Sequence, residues 1–460
     1  MEKEIHLYQS EQKIYPRDVF GIYAKFRWLF VWITQIIFYG TPWVSWGGRQ
    51  AILFDIEHRR FYLFDIVFYP QDLIYLTLLL IICAISLFLF TAIAGRLWCG
   101  YACPQTVYTE IFLWIESKIE GNFFNRKKLD LAGWNIKKIS LKVLKHSVWL
   151  FFSIWTGITF VGYFIDINLL VNDLQHFLLS GWVLFWVIFY SMFTYMNAGF
   201  MREQVCKYMC PYARFQSAMF DQHTLIVTYD HYRGEPRKIS QSKIHGDCIN
   251  CQACIQVCPT GIDIRDGLQY ECIGCGLCVD ACNTIMEKTG KFKNLIRYST
   301  DYKIKNKIKD GLNYQEILRP RILIYTLILL SLIALFFYFL ESRYDYKYDV
   351  VKDRKVMYRL DENNNIENVY RIKVMNASNH FQKYHLGVDG LFNIKIDERS
   401  YGRLRIELDP SESDWFVVTV ELPNGVLQSG NYPIHFLLKK ENSDDIVFEK
   451  ATFLVPNNEN

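Results

Sequence analysis

Two runs of four cysteines constrain this chain more tightly than anything else in it. The first reads Cys248-Ile-Asn-Cys251-Gln-Ala-Cys254-Ile-Gln-Val-Cys258-Pro259. The second reads Cys272-Ile-Gly-Cys275-Gly-Leu-Cys278-Val-Asp-Ala-Cys282, so the pattern C-x2-C-x2-C-x3-C occurs twice with 13 residues between. Three thiolates at this spacing wrap three corners of a cubane, and the fourth of each run crosses to the neighbouring cluster. Cys248, Cys251, Cys254 and Cys282 are therefore assigned to one [4Fe–4S] cluster, and Cys272, Cys275, Cys278 and Cys258 to a second. Small residues at Ala253, Gly274, Gly276 and Ala281 let backbone amides approach the sulfurs and help set potential. The second run ends Cys282-Asn283 rather than Cys-Pro, which alters the local exit of the chain but not the ligand set. Paired four-cysteine zinc sites are the competing use of such motifs, and the doubled x2-x2-x3 spacing argues against them.

The chain as a whole is rich in apolar and aromatic residues, 51% and 17%, as expected where side chains belt a membrane interface. Five stretches approach the roughly 20 residues that a spanning helix needs: Phe26–Trp46, Leu73–Ala94, Val148–Ile165, Gly181–Phe200 and Ile322–Leu340. Lys and Arg crowd the N-terminal arm and the loop after the second stretch, and are absent from Asp166–Ser180. Positive-inside bias then puts the N-terminus and residues 95–147 and 201–320 in the cytoplasm, with 341–460 in the periplasm. The first 25 residues show no cleavable signal. A net charge of +4 makes no case for nucleic acid.

Five cysteines lie outside the two runs. Cys99-Gly-Tyr-Ala-Cys103-Pro104 follows the second stretch and Cys206-Lys-Tyr-Met-Cys210-Pro211 follows the fourth. Proline suits the first turn of a helix, so Gln105–Glu120 and Tyr212–Asp221 read as amphipathic helices. The chain then contains two copies of one helical hairpin, and parallel copies related about the membrane normal would bring the four thiols together. Three readings stand: a metal site, with Cu(I) favoured by soft thiolates; a pair of redox dithiols; or cysteines packed as small hydrophobes. Met192, Met196, Met201 and Met209 are either thioether ligands for copper or helix filler. Cys83 reads as packing in mid-span, and His146, His176 and His223 as structural.

Beyond the second cysteine run, Lys288–Arg321 is basic and reads as a solvated arm near anionic lipid headgroups. Upstream, Thr224–Asp230 reads as a strand. From about Val350 the pattern turns to period-two alternation at Val369–Val374, Lys383–Val388, Arg403–Leu408, Trp415–Leu422, Ile434–Leu438 and Ile446–Leu454, an immunoglobulin-like sandwich. The expected fold class is an α-helical membrane core of five helices with an inserted two-cluster ferredoxin-like domain and a C-terminal immunoglobulin-like β-sandwich. Expected boundaries are 1–25 arm, 26–223 membrane core, 224–295 ferredoxin-like domain, 296–320 basic linker, 321–340 fifth span and 341–460 sandwich.

The order of these parts, with Tyr229-Asp230 and Arg233-Gly234-Glu235-Pro236-Arg237 ahead of the cysteine runs, resembles the CcoG/FixG family over nearly the whole chain. Members are accessory proteins of cbb3-type cytochrome c oxidase. Membrane polyferredoxins of nitrate and nitrous oxide respiration share the core and generally lack the sandwich. The resemblance implies a bacterial inner-membrane protein that reduces Cu(II) to Cu(I) for the oxidase copper site. On that basis Cys99, Cys103, Cys206 and Cys210 would form the copper or redox site. Its partners would be oxidase subunits or copper chaperones and transporters, and its electron donor is undefined. A quinol-linked electron conduit and a non-catalytic assembly scaffold are the alternatives.

Overall fold

The computed structural model describes residues 13–237, 246–308, 318–353, 357–378, 380–397, 405–441 and 446–456. They fall into two compact units, Met1–Trp43 with Ile74–Phe336, and Val44–Leu73 with Phe337–Asn460.

The first unit is helical. Its framework is α1 (Ile22–Gly40), α2 (Leu73–Ala94), α3 (Leu97–Tyr101), α4 (Pro104–Glu120), α5 (Ile136–Val161), α6 (Gly181–Met196), α7 (Pro211–Met219), α8 (Leu277–Lys288) and α9 (Pro320–Glu341). Among the described residues, three stretches are long and apolar enough to cross a membrane: Pro70–Ala94, Gly181–Met209 and Pro320–Glu341. The other two expected spans form helices without meeting that measure. Arg27 sits in the first half of α1, and α5 starts at Ile136 rather than Val148, with Lys137, Lys138, Lys142 and Lys145 in its first half. Small residues let α5 and α6 approach closely. A Cβ on Gly157 would stand 2.7 Å from the Val187 carbonyl oxygen and overlap Ser191, the small-residue contact by which apolar helices associate without a hydrophobic drive. Helices α4 and α5 lock through Phe112 and Trp149, stacked at 5.1 Å, with Trp149 Nε1 donating to the Phe112 carbonyl at 3.1 Å.

The cysteine runs lie between two strands, Ile226–Tyr229 and Ile296–Ser299, which pair antiparallel. This moves one expected boundary. The segment from 296 does not open a solvated arm: Ile296, Ser299, Thr300 and Lys303 are buried, and residues 309–317 of the expected linker lie outside the described residues. The N-terminal arm is also engaged. Arg17 N donates to the Gln256 carbonyl at 2.8 Å and Ala24 N to Asp280 Oδ2 at 2.9 Å, while residues 1–12 lie outside the described residues.

The second unit is the expected sandwich with an addition. One sheet runs Lys395–Ile396, Ser413–Leu422, Ile366–Asn376, Tyr346–Lys352, with Arg359–Leu360 also on the third strand. The other runs Arg405–Leu408, Gln382–Asp389, Gly430–Lys440, Ile446–Val455, and all pairings are antiparallel. Alternation fills the core: Val418, Val420 and Leu422 from one sheet meet Ile434, Phe436 and Leu438 from the other, all fully buried. Residues 403–404 of one expected strand lie outside the described residues. The addition is the first interhelical loop. Ile52–Asp55, Arg60–Leu63 and Ile66–Phe68 form a three-stranded meander, and Tyr62, Val67 and Tyr69 pack on Met375 and Ala377 of the sandwich. The Tyr69 hydroxyl donates to the Asn376 carbonyl at 3.1 Å, and buried Asp72 pairs with Arg343 at 2.9 Å and with Lys347.

Candidate metal centre

The two cysteine runs fold into matching loops. Asn250 and Gln252 of the first and Gly274 and Gly276 of the second all adopt positive φ, between 55° and 73°. The left-handed turn aims successive thiols inward, and a non-glycine residue pays for it with local strain. The first run tolerates that, but the second cannot carry side chains there. A Cβ on Gly274 would lie 3.2 Å from the Arg96 backbone, and one on Gly276 would strike Tyr298 and Tyr23 at 2.8 and 2.9 Å. The glycines of the second run thus mark the side on which the cysteine loops meet the helices.

The fourth cysteine of each run crosses over. One pocket is lined by Cys248, Cys251, Cys254 and Cys282, and a second by Cys258, Cys272, Cys275 and Cys278, with Cys254 lining both. Cys282 is carried there by α8, one turn beyond Cys278. Burial pushes the thiols of Cys254 and Cys275 up to about 11 and those of Cys272 and Cys282 up to about 12. Burial raises any thiol in this way, and a metal ligand must shed that proton on binding. The amides of Gly274, Leu277 and Ile296 donate to Cys272, Cys275 and Cys282. Arg265, clamped by Asp263 at 2.7 Å, and Tyr229 reach Cys248. Arg27 and Arg96 bring positive charge to the other pocket, which favours the more negative, reduced state of a cluster held there.

The C-x3-C-P motifs exchange contacts across the duplication. Four residues before the first cysteine of each motif stands a left-handed residue, Gly95 (φ 58°) in one copy and Arg202 (φ 35°) in the other. Each carbonyl is capped by a glutamine from the opposite copy: Gln216 Nε2 donates to Gly95 at 3.4 Å and Gln105 Nε2 to Arg202 at 3.0 Å. Two residues after the second cysteine, the same exchange recurs. Gln105 also reaches the Asn197 carbonyl at 3.0 Å, and the Tyr212 hydroxyl meets that of Thr91. Cys103 and Cys210 occupy the N-cap positions of α4 and α7, each followed by proline. The result is convergence: Cys206 lies within electrostatic reach of Cys103, Cys99, Cys210 and Arg96, and the Cys99 thiol donates to Gln216 Oε1 at 3.6 Å. Burial and the neighbouring Cys103 push the Cys99 thiol up to about 12, against Arg96 and Gln216.

This four-thiol set abuts the second cysteine loop. Gly100, inside the first motif, lies so close that a Cβ there would stand 2.9 Å from Cys275 Cα and from the Ile273 carbonyl. Arg96 donates to the Cys272 carbonyl at 3.2 Å, to the Ala213 carbonyl at 2.7 Å and to that of Tyr270. The Tyr101 hydroxyl donates to the Cys275 carbonyl at 3.1 Å and that of Tyr298 to Gly274 at 2.6 Å. Glu116 of α4 ties the copies together from beneath, fully buried and paired with Arg202 at 2.8 Å and Lys145 at 3.3 Å. Burial alone would raise its carboxyl; Arg202, Lys145 and Lys13 overcome that and hold it down to about 2.

Sequence reading found the cysteines and missed Arg96, Gln105, Gln216, Tyr101 and Tyr298. These act through contacts 24 to 176 residues away, for which local spacing carries no signal; the one available hint was a Tyr midway through each C-x3-C motif. Other singled-out residues stand apart. Cys83 is exposed on α2 rather than packed, His146 accepts a hydrogen bond from or donates one to the Tyr195 hydroxyl at 2.8 Å, and Met192 and Met209 are exposed.

The same parts recur in known proteins. Residues 201–301 match the family described as a 4Fe-4S dicluster domain, residues 76–127 a 4Fe-4S binding domain, and residues 336–456 an Ig-like fold at the C-terminus of FixG. The nitrogen fixation protein FixG of Rhizobium meliloti is 34% identical, covering 98% of this chain and 94% of that one. Proteins RdxA and RdxB of Cereibacter sphaeroides are 36% and 37% identical, covering 84% and 83% of this chain and the same shares of their own. The chain is an iron–sulfur protein with candidate membrane-spanning helices, and it belongs to the FixG/CcoG family.

Proposed function

We propose that this chain is an electron-transfer protein of the bacterial inner membrane that serves assembly of cbb3-type cytochrome c oxidase by reducing Cu(II) to Cu(I). In this reading Cys248, Cys251, Cys254 and Cys282 hold one [4Fe–4S] cluster and Cys258, Cys272, Cys275 and Cys278 the other. When bound, each cluster supplies one electron at a time, and each Cu(II) consumes one. Cys99, Cys103, Cys206 and Cys210 are the copper or redox site where the electron leaves the protein. The observation that carries the proposal is the contact of Gly100 with the Cys275 backbone, which joins that thiol set to the second cysteine loop without an intervening side chain. The N-terminus, the cysteine loops and α4 lie in the cytoplasm and the sandwich in the periplasm, where it docks oxidase subunits or copper chaperones and transporters. Lys13, Lys142 and Lys145, which neutralise acidic groups of α4, fit the positive-inside side of that arrangement.

One observation favours a quinol donor. An apolar cleft of about 520 Å³ is lined by Tyr23, Phe26, Phe30, Trp98, Tyr101 and Tyr298, and the last two hydroxyls contact the second cysteine loop. The test is anaerobic. Dithionite-reduced protein is mixed with Cu(II), and the Cu(II) EPR signal is followed against that of the clusters. Loss of the Cu(II) signal as clusters reoxidise, abolished in the Cys99→Ser/Cys103→Ser variant, supports the reductase. Persistence of the Cu(II) signal beside reduced clusters overturns it, and cluster reduction by a quinol would then assign the conduit role.

A further inference from the structure

We propose that a basic cavity beside Lys207, Tyr208 and Arg214 binds a phosphorylated planar electron donor, of the flavin mononucleotide class, that delivers electrons to the clusters. The proposal rests on the reading above for the clusters as electron acceptors, and is independent of its copper chemistry.

The cavity comes from a break in the duplication. Placing Cys206–Pro211 on Cys99–Pro104 sets Lys207 against Gly100, Tyr208 against Tyr101 and Arg214 against Val107. In the first copy these positions are closed off. Gly100 touches the Cys275 backbone, Tyr101 donates to the Cys275 carbonyl, and Val107 is buried. In the second copy all three counterparts line an open cavity of about 620 Å³, within the roughly 300–1,000 Å³ of small-molecule sites. The face that holds a cysteine loop in one copy is open and basic in the other.

Charge and shape select the occupant. Arg96, Lys207 and Arg214 line the cavity, and among the described residues no acidic side chain does. Arg96 is buried; its hydrogen bonds go to the carbonyls of Ala213, Cys272 and Tyr270, and its Nε has no partner. Carbonyl dipoles solvate a guanidinium without neutralising it, and the resulting positive charge is matched by a phosphate ester. Tyr208 and Tyr270, each more than half exposed, offer ring faces to a planar ligand,. Phe220 adds a third ring, 5.8 Å from the Arg96 guanidinium. The aromatic cleft at Phe26 and Phe30 carries no such cations and suits a neutral donor instead.

Position selects the chemistry. Leu268, Gln269 and Tyr270 form one wall and lead directly into Cys272, and Arg96 both lines the cavity and donates to the Cys272 carbonyl at 3.2 Å. Reduced nicotinamide gives up a hydride, an electron pair that no single cubane accepts, whereas a reduced flavin also gives electrons singly. The step balances with one flavin hydroquinone and two oxidised cubanes. They yield oxidised flavin, two cubanes each reduced by one electron, and two protons released to water.

The experiment has two readings on the anaerobically purified full chain. Equilibrium dialysis compares oxidised flavin mononucleotide with riboflavin, which lacks the phosphate. Mixing with reduced flavin mononucleotide then follows the loss of cluster absorbance. Flavin mononucleotide should bind at least about tenfold more tightly than riboflavin, the worth of one charged hydrogen bond. Lys207 is half-buried and Arg214 exposed, so Lys207→Gln/Arg214→Gln should keep the native iron content. It should lose the preference for the phosphate and slow cluster reduction at least about tenfold. Exposed Lys128 lies elsewhere, and Lys128→Gln should behave as native. Equal binding of the two flavins by the native protein overturns the proposal whatever the variants do. So does selective binding without loss of cluster absorbance, or a double variant that binds and is reduced as the native protein is. No copper is present in either reading, and Cu(II) reduction by dithionite-reduced protein would stand or fall separately.

Discussion

Replacing Gly100 by valine tests the contact on which the proposed electron route depends. A Cβ at this position meets Cys275 Cα and the Ile273 carbonyl at 2.9 Å and Cys275 N at 3.0 Å. All three are backbone atoms that cannot rotate away. Unstrained carbon contacts need about 3.5–4.0 Å, so α3 and the cysteine loop must separate by roughly 0.6–1.1 Å. Overpacking of this kind costs about 1–3 kcal/mol, and valine's two γ-methyls place it at the upper end. Gly100 lies within α3, so leaving glycine returns a few tenths of a kcal/mol for valine and about 1 kcal/mol for alanine. Sterics win for valine, at roughly 2–3 kcal/mol net, and nearly cancel for alanine. At about 2–4 °C per kcal/mol for a domain of this size, Gly100→Val should lower the thermal midpoint by about 4–12 °C. The displaced Cys275 should also change the EPR line shape assigned to its cluster, and slow reoxidation by Cu(II). Gly133, where a Cβ meets nothing within 4 Å, supplies the control, and Gly133→Ala should match the native protein. A Gly100→Val protein with native midpoint, line shape and reoxidation rate would refute the close approach.

Further outcomes are expected elsewhere. Glu116→Gln leaves Arg202 and Lys145 buried beside a neutral amide and should cost about 3–5 kcal/mol in the first unit, read by thermal unfolding. Because the Glu116 carboxyl is held from its usual 4.5 down to about 2, its contribution is present above the unfolded value and is lost as pH falls through the folded one. The native midpoint should therefore drop between about pH 4.5 and 2 by an amount that Glu116→Gln does not show. Asp72→Asn breaks the buried pairs with Arg343 and Lys347 and should destabilise the second unit by about 3–5 kcal/mol, seen as faster proteolysis of the 44–73 loop. Phe436→Ala removes a fully buried ring from the sandwich core and should cost about 3–5 kcal/mol, without changing iron content.

What could be read from the sequence followed the range of the interactions. Cluster-type cysteines announce themselves because three ligands of a cubane fit within seven residues, and the sandwich strands because alternation is a two-residue signal. The α-helices after Pro104 and Pro211 were legible for the same reason. What stayed hidden is long-range. Three of the five expected spans meet the length and hydropathy of a crossing helix; the other two lie in helices that carry charge, Arg27 in α1 and, ahead of the stretch expected from Val148, Lys137, Lys138, Lys142 and Lys145 in α5. Four-residue Ile296–Ser299 has no alternation to display and is a strand because Ile226–Tyr229 lies beside it. The meander at 52–68 is made of strands of three and four residues, below any pattern threshold, and is fixed by Tyr62, Val67 and Tyr69 finding Met375 and Ala377 some 300 residues later.

That last contact sets an order for biosynthesis. Asp72 is made 271 residues before Arg343, and at roughly 5–20 residues per second the wait is on the order of 15–55 s. During it the meander's apolar face and the Asp72 carboxylate have no counterpart in the chain already synthesised. The first loop must therefore persist as a hydrated, unfastened segment until the last domain emerges, and a chain ending before residue 337 would never fasten it. The sandwich is in this sense the closing clasp of the molecule, and truncations designed to isolate the redox core will expose the strand that the clasp was built to hold.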